Sequence, residues 1–186
     1  MLLETPLCNF GWQAPNFELE DTTGNTHTLS TLMGKDSPYK NGLLVCFICN
    51  HCPYVIAIIE RLVQDAKLLQ EAGIAVVAIM PNDYATYSED SPENMALFAK
   101  KYGFTFPYLV DATQNVAKAY DAVCTPDFFG FNAKAELQYR GRLDDAKMEN
   151  KTNINKELLD AMIQVVQTGK GPKEQIASMG CSIKWV

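Results

Sequence analysis

Apolar residues run without a break from Leu43 to Ile48 and again from Ile74 to Met80. Runs of this length suit strands, and continuous rather than alternating hydrophobicity suits strands covered on both faces. Between them Val55, Ile58, Ile59, Leu62, Ala66 and Leu69 recur at steps of three and four, which predicts a helix over 53–72. Pro53 fits the first turn, where a missing N–H costs nothing, and Gly73 fits the C-terminal end. Strand, helix and strand in that order predict a βαβ unit with parallel strands.

The remaining pattern is more broken. Residues 11–32 read as a polar entry segment with a turn at Thr23-Gly24-Asn25. After Met80 a polar loop, 81–91, leads to a helix over 92–102 that Gly103 ends. A short strand is expected over 106–110 and a brief helix over 116–120. Segments 128–132 and 137–141 flank turn residues and predict a β-hairpin. Leu158, Leu159, Met162, Ile163 and Val166 form one stripe of a final helix over 154–167, with Gly169 beyond it. The sum is an α/β domain with a mixed sheet, residues 1–186 forming one domain with a core over about 11–168 and a tail over 169–186.

Composition narrows the function. A chain of 186 residues with 47% hydrophobic content can build one sizeable core. Sixteen Lys and Arg against 22 Asp and Glu give a net charge of −6, the wrong sign for a nucleic-acid surface. No stretch approaches the roughly 18 consecutive apolar residues of a membrane span. The first residues lack a basic n-region and reach Glu4 and Pro6 at once, which makes a poor signal peptide. Cytoplasmic residence is therefore expected. In a reducing compartment the six cysteines (Cys8, Cys46, Cys49, Cys52, Cys124 and Cys181) are expected to be catalytic, metal-bound or merely buried, rather than a disulfide framework.

Cys49-Asn50-His51-Cys52 carries the chemistry. Three readings are open: a redox pair, half of a metal site, or two inert buried thiols. A structural zinc site takes four Cys/His ligands, commonly two such pairs, and here there is one pair. The position where a strand hands over to a helix inside a βαβ unit favours redox chemistry. Cys49 is expected at the helix N-terminus, exposed and readily deprotonated by the free N–H groups there, and Cys52 one turn later resolves the mixed disulfide. His51 is expected to hold a positive charge near the Cys49 sulfur and favour its thiolate.

Four separated stretches resemble the thioredoxin-fold superfamily, and within it the redoxin branch of alkyl hydroperoxide reductase/thiol-specific antioxidant proteins. They are the entry Gly11-Trp12-Gln13-Ala14-Pro15-Asn16-Phe17-Glu18-Leu19 with Gly24 and Leu29 after it, the CNHCP site following the first central strand, Cys124-Thr125-Pro126-Asp127-Phe128-Phe129, and Tyr139-Arg140-Gly141. The resemblance implies a thioredoxin-like fold: a central mixed β-sheet flanked by helices, with an N-terminal extension and a C-terminal tail. It implies a thiol–disulfide oxidoreductase acting in cell redox homeostasis, with a cis Thr125–Pro126 bond facing the cysteine pair, and Asn50, Thr125 and Pro126 contacting substrate. No cofactor and no metal are expected. The partners expected are a disulfide-containing protein or small thiol/disulfide and an electron donor, with the chain a monomer or homodimer that binds neither nucleic acid nor membrane. The sequence also departs from the family. Ile48 replaces the usual tryptophan before the first cysteine, and a peroxiredoxin's threonine three residues before its reactive cysteine is absent, since Cys46 stands there. A thiol-dependent peroxidase is therefore the alternative, and a metal- or protein-binding module without turnover the third reading.

Among the other residues, Cys46 reads as a core residue and Cys8 as part of a mobile terminus. Cys124 and Cys181 are possible accessory redox residues, the second as an exposed tail thiol. His27, Glu89-Asp90 and Asp144-Asp145 read as surface or loop residues. Arg140 or Arg142 is a candidate for stabilising a thiolate. Asn82 and Asp83, at the carboxyl end of the second central strand, are expected to line the cleft.

Overall fold

A computed structural model describes residues 1–186. The chain opens with strand β1 (Leu2–Glu4), followed by the short hairpin β2 (Glu18–Glu20) and β3 (Thr26–Thr28) and helix α1 (Leu29–Met33). The central βαβ unit is β4 (Gly42–Phe47), α2 (Pro53–Glu71) and β5 (Ile74–Met80), its strands parallel with Gly42 opposite Ile74 and Phe47 opposite Ile79. Next come α3 (Pro92–Tyr102), β6 (Tyr108–Val110), α4 (Asn115–Ala119), β7 (Cys124–Thr125), β8 (Asp127–Asn132) and β9 (Leu137–Tyr139). Helix α5 (Glu157–Thr168) and strand β10 (Met179–Ser182) complete the chain.

The main sheet runs β6-β5-β4-β8-β9, with β8 and β9 antiparallel to the central strands. Alternate residues of β4 and β5 feed opposite cores, which is why both strands are apolar throughout. Leu44, Cys46, Val76, Ala78 and Met80 pack under α2, α3 and α5. Leu43, Val45, Phe47, Ala75, Val77 and Ile79 face the other side, with Leu32 of α1 and Val116 and Ala117 of α4. On that second side the Tyr120 ring meets Phe47 and Phe129 at 5.6 Å each, and Trp12 of the entry segment closes on Tyr120 edge-on at 5.9 Å. No helix is long and apolar enough to cross a membrane.

Several boundaries differ from expectation for local reasons. The polar entry segment contains a hairpin, because Asp21 Oδ1 accepts from the Thr23 and Asn25 N–H groups and folds the turn. The helix that follows it, α1, is opened by a reciprocal cap between Thr28 and Thr31. The strand expected over 106–110 starts only at Tyr108, since Pro107 has no N–H for a ladder. The last helix starts at Glu157 rather than at 154, because Asp145 takes hydrogen bonds from the Asn155 backbone and side chain and holds that segment out.

The largest correction concerns the chain ends. The tail is not separate from the structured body: β10 pairs antiparallel with β1 on one side and with β7 on the other, setting Cys181 opposite Thr125. Gly180 permits this approach, since a Cβ there would collide with the Thr125 carbonyl oxygen. Cys8 is half-buried and packs against the second core, so it is not in a loose terminus. The Asp144 read as a solvated charge is buried and paired to Arg61 at 2.7 Å.

Candidate active site

The site forms where β4 hands over to α2. Cys52, not Cys49, is the N-cap of α2, and its carbonyl accepts from Val55 and Ile56 at 3.0 and 2.9 Å. Pro53 occupies the first turn. The Thr125–Pro126 peptide bond is cis, and the residue before it reaches both sulfurs. Thr125 Oγ1 lies 3.4 Å from Cys49 Sγ, while the Cys52 thiol donates to the Thr125 carbonyl at 3.2 Å. Both sulfurs thus converge on Thr125.

The leading sulfur was expected to be exposed and acidic. It is neither: Cys49 is 1% exposed and Cys52 is fully buried. Donation of the Cys49 thiol to Cys52, then burial, then the Asp90 carboxylate all push Cys49 well above the ordinary thiol range. Cys52 moves down, because it accepts from Cys49 and from the backbone N–H groups of Cys181 and Val55, which together outweigh its burial. The negative charge of the reduced pair therefore sits on Cys52, as the helix start would dictate once the N-cap is correctly placed. When Cys52 is ionised, the Thr125 carbonyl faces a like-signed sulfur, and the three donors decide the balance.

The loop after β5 supplies what the sequence reading overlooked. Asp90, read as a solvated charge, is fully buried beside the pair. Its Oδ1 accepts from the Asn50 N–H and its Oδ2 from Asn82 Nδ2, each at 2.8 Å. Asn50 also donates to the Glu89 carbonyl at 2.9 Å and accepts from the Tyr108 hydroxyl at 2.9 Å. Asn50 thus latches the cysteine loop to the 89–90 loop, and the Tyr108 phenol, pushed up by burial and then by Cys49 and Asp90, stays protonated as its donor. His51 Nδ1 lies 2.8 Å from Asp90 Oδ2, off the line of a hydrogen bond, and its ring stacks on Tyr87 at 5.8 Å. His51 Nδ1 therefore lies against the Asp90 carboxylate and only within 4.8 Å of the Cys49 sulfur. Asn82 lines the site as expected, whereas Asp83 turns to cap Ala85. One clue in the chain pointed to Asp90: it lies on the loop beyond the carboxyl end of β5, just ahead of the Ser91-Pro92 helix start, the edge where parallel sheets place their sites.

The other candidates fall into place around this centre. Cys46 and Cys124 are buried and pushed upward by that burial, and the Cys124 thiol points to the Pro126 carbonyl at 3.6 Å. Burial raises Cys8 to about 11. Cys181 is half-buried and pushed upward by that burial and then by Cys52. Arg140 and Arg142 do not serve the thiolate: Arg140 pairs with buried Asp127 at 3.0 Å and stacks over Phe129, and Arg142 pairs with Glu157 at 2.6 Å. His27 pairs with Asp21 at 2.7 Å. One donor set has the composition a metal ion could use: Cys49 Sγ, His51 Nδ1 and an Asp90 oxygen lie within 4.8 Å of one another.

A family comparison matches this arrangement. The AhpC/TSA family matches residues 10–141, and the chain belongs to that family. It is 30% identical over 127 residues to the thiol-disulfide oxidoreductase ResA of Bacillus subtilis, a match covering 68% of this chain and 64% of that one. The chain thus spans somewhat less than two thirds of that relative's length. Among solved structures, an uncharacterized conserved protein from Geobacillus kaustophilus superposes with a TM-score of 0.90 at 40% identity, covering 100% of this chain and 97% of the other. The thioredoxin domain of a thiol-disulfide oxidoreductase from Bacteroides vulgatus shares the fold, with a TM-score of 0.57 at 14% identity over 70% of this chain and 86% of that one. The fold is thioredoxin-like.

Proposed function

We propose that the chain is a thiol–disulfide oxidoreductase in which the Cys49–Cys52 dithiol reduces, or its disulfide oxidises, a disulfide-containing protein or small thiol partner. The observation that carries this reading is the convergence of the two sulfurs on Thr125 at the head of α2, beside the cis Thr125–Pro126 bond. The ResA relative, named for the same activity, supports it.

In the reducing direction Cys49 hands its proton to the Cys52 thiolate and attacks one sulfur of the substrate disulfide. A mixed disulfide forms and the first substrate sulfur leaves as a thiolate. Cys52 then attacks Cys49, the Cys49–Cys52 bond forms, and the second substrate sulfur departs. The single proton and single negative charge of the reduced pair leave with the two product sulfurs. Thr125 and Pro126 present the edge against which the substrate lies. A groove of about 320 Å³ lined by Tyr54, Ile58, Pro126, Phe128, Met148 and Met179 adjoins that edge and suits an apolar substrate flank. Entry requires the site to open, since both sulfurs are buried. The single domain and the cytoplasmic setting expected from the sequence belong to this proposal; limited proteolysis and cell fractionation test them.

The test is a redox titration of the pair, with insulin reduction and hydrogen peroxide consumption assayed side by side. Stabilising the Cys52 thiolate favours the reduced form, so the midpoint should lie on the oxidising side of about −270 mV, the thioredoxin value, towards about −120 mV. Insulin reduction without comparable peroxide turnover supports the proposal. Peroxide turnover with a trapped sulfenate and no disulfide exchange would transfer the site to the peroxidase reading.

A further inference from the structure

The pair presents a problem that the rest of the site answers. A disulfide between Cys49 and Cys52 would be buried, away from any donor that must reduce it again. Cys181 stands close by. In β10 it pairs with Thr125, the residue whose carbonyl meets Cys52 Sγ, so Cys181 and Cys52 flank the same peptide group. The two sulfurs also act on each other's protons: Cys181 helps lower Cys52 after the larger effect of Cys49, and Cys52 helps raise Cys181 after the larger effect of burial. Unlike either member of the pair it is partly exposed, and it packs against the same core cluster that holds them. Lys184 and the N-terminal amine supply positive charge nearby, and they bond to Ser182, the next residue of β10.

We propose that Cys181 is a third catalytic cysteine, which takes the disulfide from the sealed pair and presents it to the electron donor. The inference rests on the disulfide-exchange reading above. In the oxidised protein the Cys181 thiolate attacks Cys52 Sγ, the Cys52–Cys181 bond forms and the Cys49–Cys52 bond breaks. Cys49 leaves as a thiolate and takes the proton that Cys181 lost. One disulfide and one thiol stand on each side of the step, so no outside oxidant is consumed. One thiolate of a dithiol donor then attacks Cys181 at the surface, forming a mixed disulfide and releasing Cys52 as the thiolate its donors favour; the donor's second thiol breaks that mixed disulfide, leaving the donor oxidised and returning its proton to Cys181. In the reduced protein burial first, and then the Cys52 sulfur, hold the Cys181 proton in place; oxidation removes the second of these, and Cys181 faces Lys184 without it.

The experiment oxidises the protein with one equivalent of hydroxyethyl disulfide, quenches in acid and maps disulfide-linked peptides by mass spectrometry. Wild type is expected to give both Cys49–Cys52 and Cys52–Cys181 peptides. Cys49→Ser should lose both remaining site thiols into Cys52–Cys181, and Cys181→Ser should slow re-reduction by dithiothreitol about tenfold, because attack must then reach a buried sulfur. A Cys49–Cys52 peptide in wild type, with no Cys52–Cys181 peptide either there or in Cys49→Ser, overturns this inference and leaves the parent reading standing. No Cys49–Cys52 peptide in wild type overturns the parent reading itself.

Discussion

Asp90 is the residue on which the balance between the sulfurs turns. Its carboxylate is buried, held by Asn50 and Asn82, and close enough to Cys49 to oppose a negative charge there. Asp90→Asn keeps the shape and removes the charge. Cys49 should then become more acidic, and its alkylation by iodoacetamide should rise at lower pH than in the parent. An unmoved profile would mean that burial and the Cys52 contact alone set the Cys49 proton. The same residue shows why chemistry-bearing groups escape a linear reading. Nothing in Ser88-Glu89-Asp90 distinguishes a solvated acid from one folded inward, because the partners that bury it stand 8 and 40 positions away.

At the scale of elements, two supports hold the Thr125–Pro126 edge in place. The first is the contact of β10 with β7, which depends on the missing side chain of Gly180. Gly180→Ala should cost about 1–3 kcal/mol by overpacking, read as a lowered denaturation midpoint in urea, and should draw Cys181 away from Cys52. The second is the pair of Arg140 with Asp127, both buried at the start of β8. Burial raises the Asp127 carboxyl to about 6 even with Arg140 beside it. Arg140→Met leaves that carboxylate alone and should destabilise the fold by about 3–5 kcal/mol at neutral pH, again by urea unfolding. An acid whose folded pKa is raised costs stability as pH climbs past its unfolded value, so the deficit should shrink in acid.

For the whole molecule the reduced and oxidised forms should differ in how stability follows pH. In the reduced form Cys52 titrates at about 4 in the fold, against about 8.5 in an unfolded chain. A lowered folded pKa stabilises above the unfolded value, and that contribution fades as pH falls through the folded one. The melting temperature of the reduced protein, relative to the oxidised, should therefore climb between about pH 4 and 8.5. Groups common to both forms cancel in the comparison. Above that window the raised Cys49 works in the other direction, because the unfolded chain loses its proton first. A flat difference would show that Cys52 is not the thiolate.

How much of this was legible follows from the range of the interactions. The βαβ unit, helix 92–102 and the hairpin announce themselves because each is set by periodicity and turn residues within one stretch of chain. The cysteine pair was legible from its spacing at a strand-to-helix boundary. The helix start at Pro53 was legible too. What misled was giving the thiolate to Cys49, three residues ahead of the N-cap, rather than to Cys52, which forms it. What the pattern could not show was the return of β10 beside β7, for Met179-Gly180-Cys181-Ser182 has no strand periodicity and owes its place to long-range pairing.

That late strand has a consequence for biosynthesis. The segment that shields Cys52 and supplies one of its N–H donors is translated long after the pair has left the ribosome. Until β10 emerges and pairs with β7, a nascent chain thus exposes two neighbouring thiols that the folded protein hides, and it is most vulnerable to stray oxidants in that interval.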